Sequence, residues 1–193
     1  MGGLFALLMP GLVMAQTAGG SADNPVPPLM RNLNSDYVRV AASAARSLGV
    51  IFSPGGRGGD ELGEATTALI GTLASTKGAV LRRESAIALG KMKARTALDP
   101  LKEAIKDVDY SVAIAAANAI REILPVDEAR AYLKEIAKDE TESVQVAAYD
   151  AMSQIGKSDD ADFFITGMDS PNWRIATSAI RGLERSVRAG ARI

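Results

Sequence analysis

Asp159, Asp160 and Asp162 form a dense cluster of ionisable side chains, and are the first place to look for chemistry. Neighbouring carboxylates can exchange a proton in acid–base catalysis or ligate a hard cation such as calcium. The spacing does not fit a calcium loop, which needs oxygen ligands at alternate positions and a supporting glycine. The cluster falls instead at the start of a predicted helix, where negative charge complements the helix dipole. The groups that usually assist carboxylates are missing as well. The 193 residues contain no histidine and no cysteine. That removes the commonest general base at neutral pH, the commonest metal ligand, thiolate nucleophiles and disulfides. No glycine-rich phosphate loop with a following Lys-Ser or Lys-Thr occurs. The expectation is a chain that is not an enzyme, with no catalytic, cofactor-binding or metal-binding residues.

Basic residues crowd two places. Arg82, Arg83, Lys91, Lys93 and Arg95 are interspersed with Glu84 and read as a solvated face rather than a patch for phosphate or an acidic partner. Arg185, Arg188 and Arg192 follow the last acid of the chain and suit the negative end of a helix dipole, with contact to an acidic partner or a membrane surface as the functional alternative. With 22 basic and 23 acidic residues the formal net charge is −1, which argues against a nucleic-acid groove. Trp173, the single tryptophan, is expected to pack at the start of the last long helix, with an interface anchor as the functional alternative. Tyr37 and Tyr110 hold nearby places in their segments, which points to structural roles.

The elements that position these residues repeat. Val40, Leu81, Val112, Val144 and Ile175 are separated by 41, 31, 32 and 31 residues. Eight positions on, Leu48, Leu89, Ile120, Met152 and Leu183 follow the same steps, and eleven positions before stand Leu29, Ile70, Leu101, Leu133 and Phe164. A period of this size predicts a stacked solenoid, in which each unit buries its apolar face only against its neighbours. Each unit reads as a helix, a short turn and a longer helix. The longer helix carries an apolar stripe at i, i+4, i+7 and i+8 with Ala, Ser or Gly in its middle, which lets helices approach closely. Asp107, Asp139 and Asp169 fall near the ends of three first helices, placed to cap the helix that follows.

The segment Leu81-Arg-Arg-Glu-Ser-Ala-Ile-Ala-Leu-Gly90 closely resembles the second helix of a bacterial HEAT-like repeat, of the type also found in phycobilisome lyases. Val40–Gly49 is a looser match, and Leu101 to Asp107 fits the end of the first helix. The resemblance covers roughly residues 25–190. It implies an all-α fold, a right-handed α-solenoid of about five HEAT-like helical hairpins. It says little about function, because the family hosts scaffolds, adaptors and a few enzymes. The units run at about 28–52, 62–93, 95–124, 126–157 and 159–190. The glycine closing the motif, Gly49 and Gly90, becomes Arg121, Ser153 and Glu184 later.

The first step exceeds the others by about ten residues because of a glycine-rich insertion, 53–61, with Arg57 at its centre. It reads as a flexible connector, with a partner-gripping or anion-binding loop as the functional alternative. Residues 1–15 end an apolar run in Val13-Met14-Ala15 and read as a signal peptide, although no Lys or Arg precedes Arg31. The run is short of the ~20 apolar residues of a membrane span. Residues 16–27 read as a flexible linker. The expected location is periplasmic or secreted, or cytoplasmic if the run is not a signal. Membrane contact is expected only through an uncleaved N-terminus.

The stripes are consumed by stacking, so a partner surface should lie on the remaining faces. Arg46, Asn118, Asp150 and Arg181 share the seventh position of the second helices and should form a ladder, interrupted by Ile87. With Arg57 they are the candidate partner-binding residues. The expected function is a non-enzymatic protein–protein interaction or scaffold module, an accessory subunit of an envelope or periplasmic complex, binding protein and not nucleic acid, without cofactor. The alternative is a phycobilin lyase-like chromophore-handling enzyme. A DNA-repair glycosylase would need a basic, aromatic groove, and a hydroxylase on this scaffold would need histidine.

Overall fold

A computed structural model describes residues 24–192 other than Glu140. The apolar run at 3–14 and its expected cleavage point lie outside the described residues. Among the described residues ten α-helices follow one another in five hairpins: α1 (Val26–Leu33) with α2 (Val38–Ile51), α3 (Asp60–Leu73) with α4 (Ala79–Lys91), α5 (Leu98–Ala104) with α6 (Tyr110–Ile123), α7 (Val126–Ile136) with α8 (Glu142–Ser153), and α9 (Ala161–Met168) with α10 (Trp173–Arg188). Short 3-10 turns at Arg95–Ala97 and Ser158–Asp160 lead into α5 and α9. No strand occurs among the described residues. The fold is an α-solenoid.

The hairpins turn by one device used five times. Ser35, Ser75, Asp107, Asp139 and Ser170 each accept a hydrogen bond from the backbone N–H two residues on, at 3.2, 3.1, 2.9, 2.7 and 3.2 Å. A short side chain with an oxygen can mimic a backbone turn in this way. The next helix then starts. Asp109 caps α6 by accepting from Ser111 N–H at 2.8 Å, and Asn172 caps α10 by accepting from Arg174 N–H at 2.8 Å. Asp107 and Asp139 therefore shape the turn just before the cap rather than capping the helix, and Ser170 does this job in place of Asp169.

The second helices pack on one another continuously from α2 through α4, α6 and α8 to α10, while neighbouring first helices meet mainly at α1–α3 and α3–α5. Small residues make this row tight. A methyl group on Gly49 would sit 2.7 Å from the Ala88 Cα, and one on Gly90 would sit 2.8 Å from the Ala119 Cα, so no side chain fits at either place. Leu48, Leu89, Ile120 and Met152 are all fully buried along the row.

Two details of the repeat register differ from the sequence reading. In the second unit Leu69, not Ile70, takes the buried place of Leu101 and Leu133, because one extra residue stands between the turn residue Ser75 and the anchor Leu81 compared with Asp107 and Val112 or Asp139 and Val144. Val40 is 42% exposed although Leu81, Val112, Val144 and Ile175 are buried. Its position faces the preceding unit, and α2 has none among the described residues.

From α8 onward larger groups fill the stack. Phe164 replaces the leucines of the earlier first helices and lies against Gly156 and Gly182, whose missing side chains make room for its ring. Phe163 stacks on Tyr149 with ring centres 4.5 Å apart.

Candidate functional site: the exposed row of second helices

The carboxylate cluster is structural. Asp160 is wholly buried and accepts hydrogen bonds from Arg130 Nε at 2.9 Å and from the Lys157 N–H at 2.7 Å, with Lys134 Nζ at 2.5 Å. Burial alone would push its carboxyl up, but the Arg130 and Lys134 bonds outweigh it and hold the group below the usual carboxylate range. Arg130 is raised in turn, chiefly by its bond to Asp160. It also reaches Asp159 at 2.5 Å and Asp127 at 3.2 Å, tying α7 to the entry of α9. A carboxylate pinned in its charged form between two cations neither gives nor takes protons near neutral pH. Among the described residues no group of three or more His, Cys, Asp or Glu is placed to hold a metal ion.

The basic cluster of the second unit dissolves in the same way. Arg82 forms a two-pronged pair with Asp107 at 2.7 and 3.0 Å, linking α4 to the α5–α6 turn. Arg83 pairs with Glu84 at 2.9 Å. Lys93 closes α4 with a φ of 55° and reaches the Glu122 carbonyl. Lys91 and Arg95 remain on the surface.

Arg57 is not a free tip. Its backbone N–H bonds to the Ile51 carbonyl at 3.0 Å, and its side chain pairs with Glu61 at 3.5 Å and donates to the Asn24 side chain. Asn24 itself donates to Glu61 at 2.6 Å. The insertion is thus folded back onto the entry of α1, and part of its surplus length goes into α3, which starts at Asp60.

The four ladder residues fall into two groups. Arg46 pairs with the buried Glu84 at 3.0 Å, where a hydrogen bond from Arg46 acts first and one from Arg83 assists, holding that carboxyl below its ordinary range against the effect of burial. Asn118, Asp150 and Arg181 form a chain across α6, α8 and α10. Asn118 donates to Asp150 Oδ2 at 3.0 Å, and Arg181 donates to Asp150 Oδ1 at 3.1 Å. Gln154 adds a bond to Asn118 Oδ1 at 2.7 Å. Ile87 separates the two groups.

A second line of side chains runs beside this one and was not legible as a site. Tyr110, Glu142 and Trp173 are the first residues of α6, α8 and α10. The Tyr110 hydroxyl donates to Glu142 at 2.6 Å, and Asn172 donates to the other oxygen of Glu142 at 2.5 Å. The Arg174 guanidinium lies 5.0 Å from the Tyr110 ring centre and 4.7 Å from that of Trp173. Trp173 is 66% exposed, so it does not pack into the core as its place in the helix suggested. Between the two lines opens a cleft of about 200 Å³ lined by Ile114, Val146, Asp150, Trp173, Arg174, Thr177, Ser178 and Arg181. The signal for this line was the common register of Tyr110, Glu142 and Trp173, each two residues before its unit's aliphatic anchor.

The family model for HEAT repeats matches residues 26–121 and 99–184. Among solved structures, the complex of CpcE and CpcF of phycocyanin lyase from Nostoc sp. PCC7120 is similar, with a TM-score of 0.60 and 21% identity over 94% of this chain and 73% of that one. An engineered protein matches with a TM-score of 0.49 and 20% identity over 84% of this chain and 79% of that one. No curated protein sequence matches. At these identities the structural likenesses speak to the fold alone.

Proposed function

The chain belongs to the HEAT repeat family, and from that premise we propose that it is a non-enzymatic scaffold that holds a protein partner on its row of second helices. The observation that carries the reading is the exposed Trp173 beside the Asn118–Asp150–Arg181 chain and its cleft. Large aromatic and arginine side chains left at the surface are the groups that dominate protein interfaces. The closely packed row of second helices is the natural inner side of a curved stack, and an inner side gives one partner contacts with several units.

We further propose that the chain serves as an accessory subunit of an envelope or periplasmic complex. That part rests on the apolar run closing in Val13-Met14-Ala15. Among the described residues no helix is long and apolar enough to cross a membrane. The alternative, a phycobilin lyase-like enzyme, has only the shared fold in its support.

A photo-cross-linking residue at Thr177, in the cleft, tests the surface against one at Glu128, on the first-helix side. A discrete product with one protein from Thr177 and none from Glu128 supports the reading. The reverse pattern overturns it. Sequencing the mature N-terminus tests export: cleavage after Ala15 is expected, and an intact Met1 counts against it.

A further inference from the structure

The chemistry of the partner can be taken one step beyond the scaffold reading, on which it rests. The α10 end of the exposed row is rich in arginine, with Arg174, Arg181, Arg185 and Arg188 on one helix. Most carboxylates of the row already have partners: Glu84 has Arg46 and Arg83, Glu122 has Arg121 at 3.5 Å, Asp150 has Arg181, and Glu142 has the Tyr110 hydroxyl and the Asn172 amide. Arg174 and Arg185 are exposed and form no ion pair with a carboxylate among the described residues. With Arg181 they fall within about 40° of one another around α10, on a helix of 3.6 residues per turn. Arg174 is also held in place. Lying against the Tyr110 and Trp173 rings, it is steadied by both and keeps its N–H fork for a planar anion. Beside it the cleft offers an apolar floor, Ile114 and Val146, and an aromatic wall, Trp173. That suits one aliphatic side chain.

We propose that the α8–α10 end of the row binds an extended acidic peptide segment, with one aliphatic side chain in the cleft and Asp or Glu side chains on Arg174 and Arg185. The two arginines are about 16 Å apart along the helix axis. An extended chain covers that distance in about five residues. A carboxylate meets the guanidinium fork in a two-pronged pair, which favours it over a point contact. A nucleic acid fits less well, because its unbroken line of phosphates would have to pass Glu142 and Glu184, whereas a peptide can set uncharged residues beside them.

The test is a titration of the full chain with a fluorescein-labelled nine-residue peptide of alternating Glu and Leu. Anisotropy reports binding, and the emission of Trp173, the only tryptophan, reports its place. Saturable binding with a change in Trp173 emission is expected. Arg174→Ala should weaken it at least tenfold, Arg174→Lys less, and Lys138→Ala on α7's trailing turn not at all. Circular dichroism confirms that each variant keeps its helices. Equal binding of a Lys-Leu peptide or of a single-stranded oligonucleotide overturns the proposal, as does an unchanged affinity in Arg174→Ala. A flat titration with cross-linking at Thr177 intact removes the acidic-peptide chemistry alone; loss of both removes the surface.

Discussion

Between α2, α4 and α6 the helices meet almost backbone to backbone, through Gly49 on Ala88 and Gly90 on Ala119. From α6 onward the same place is taken by Arg121, Ser153 and Glu184, and the contacts pass through side chains. The difference teaches what the repeat can spare. Where small residues bring the second helices into contact, their row is closed, and the cavity of those units, about 560 Å³ and lined by Ile70, Leu73, Arg82 and Asp107 among others, opens between the first helices α3 and α5. Where larger and polar residues intervene, hydrogen-bonded chains, an aromatic pair and a cleft appear on the surface.

The sharpest way to break this comparison is to place one residue type at the same repeat position in both halves. Gly90→Leu forces a side chain into the Ala119 backbone and should destabilise the chain by about 3 kcal/mol or more. Glu184→Leu at the equivalent, exposed place should change stability by less than about 0.5 kcal/mol. Urea denaturation of the two variants checks both figures. Equal losses would mean that the two halves pack alike.

Arg130→Ala probes the side-chain junction of the last two units. Removing the partner of a wholly buried carboxylate should cost about 3 kcal/mol, with Lys134 left to hold Asp160 in part. Acid should act on the same junction. The Asp160 carboxyl binds its proton less readily in the fold than in the unfolded chain. Its contribution is therefore complete above the unfolded value of about 3.9, and is lost as pH falls through the lower folded value. Urea midpoints measured from pH 6 down to pH 2 should fall through this window, and fall less in Arg130→Ala. Asp107 and Glu84 are also lowered and add to the same acid loss in the first three units.

One substitution should bring a modest gain. Gly63 lies in α3 with nothing near its missing side chain, so Gly63→Ala should stabilise the chain by about 0.5–1 kcal/mol, read as a raised melting temperature.

The repeat and its hairpins were legible because aliphatic spacing survives even where residue identity drifts. The register was legible to within one residue: an extra residue between Ser75 and Leu81 moved the buried place from Ile70 to Leu69. The turn device was hidden because Ser and Asp serve it interchangeably, so no single letter marks the place in all five units. The ladder could be read from position alone, and three of its members do meet. The pairing of Arg46 with Glu84 and of Arg57 with Asn24 and Glu61 could not, because each joins residues more than thirty apart or across a loop whose path no pattern encodes. Trp173 was placed in the wrong environment for a physical reason. An aromatic at a helix start usually finds a core to pack on, but here its face is given to Arg174.

The central claim is that the second-helix row, not the first, is the partner surface. It is tested most directly by recovering partners from the native host with two multiple variants. One carries Asn118→Ala, Asp150→Ala and Arg181→Ala; the other carries Lys102→Ala, Glu135→Ala and Lys138→Ala on the first helices and the turn after α7. The account predicts that a protein recovered in fixed proportion with the unaltered chain stays with the first-helix variant and is lost from the second-helix variant. Retention by the second-helix variant, with loss from the other, would contradict it.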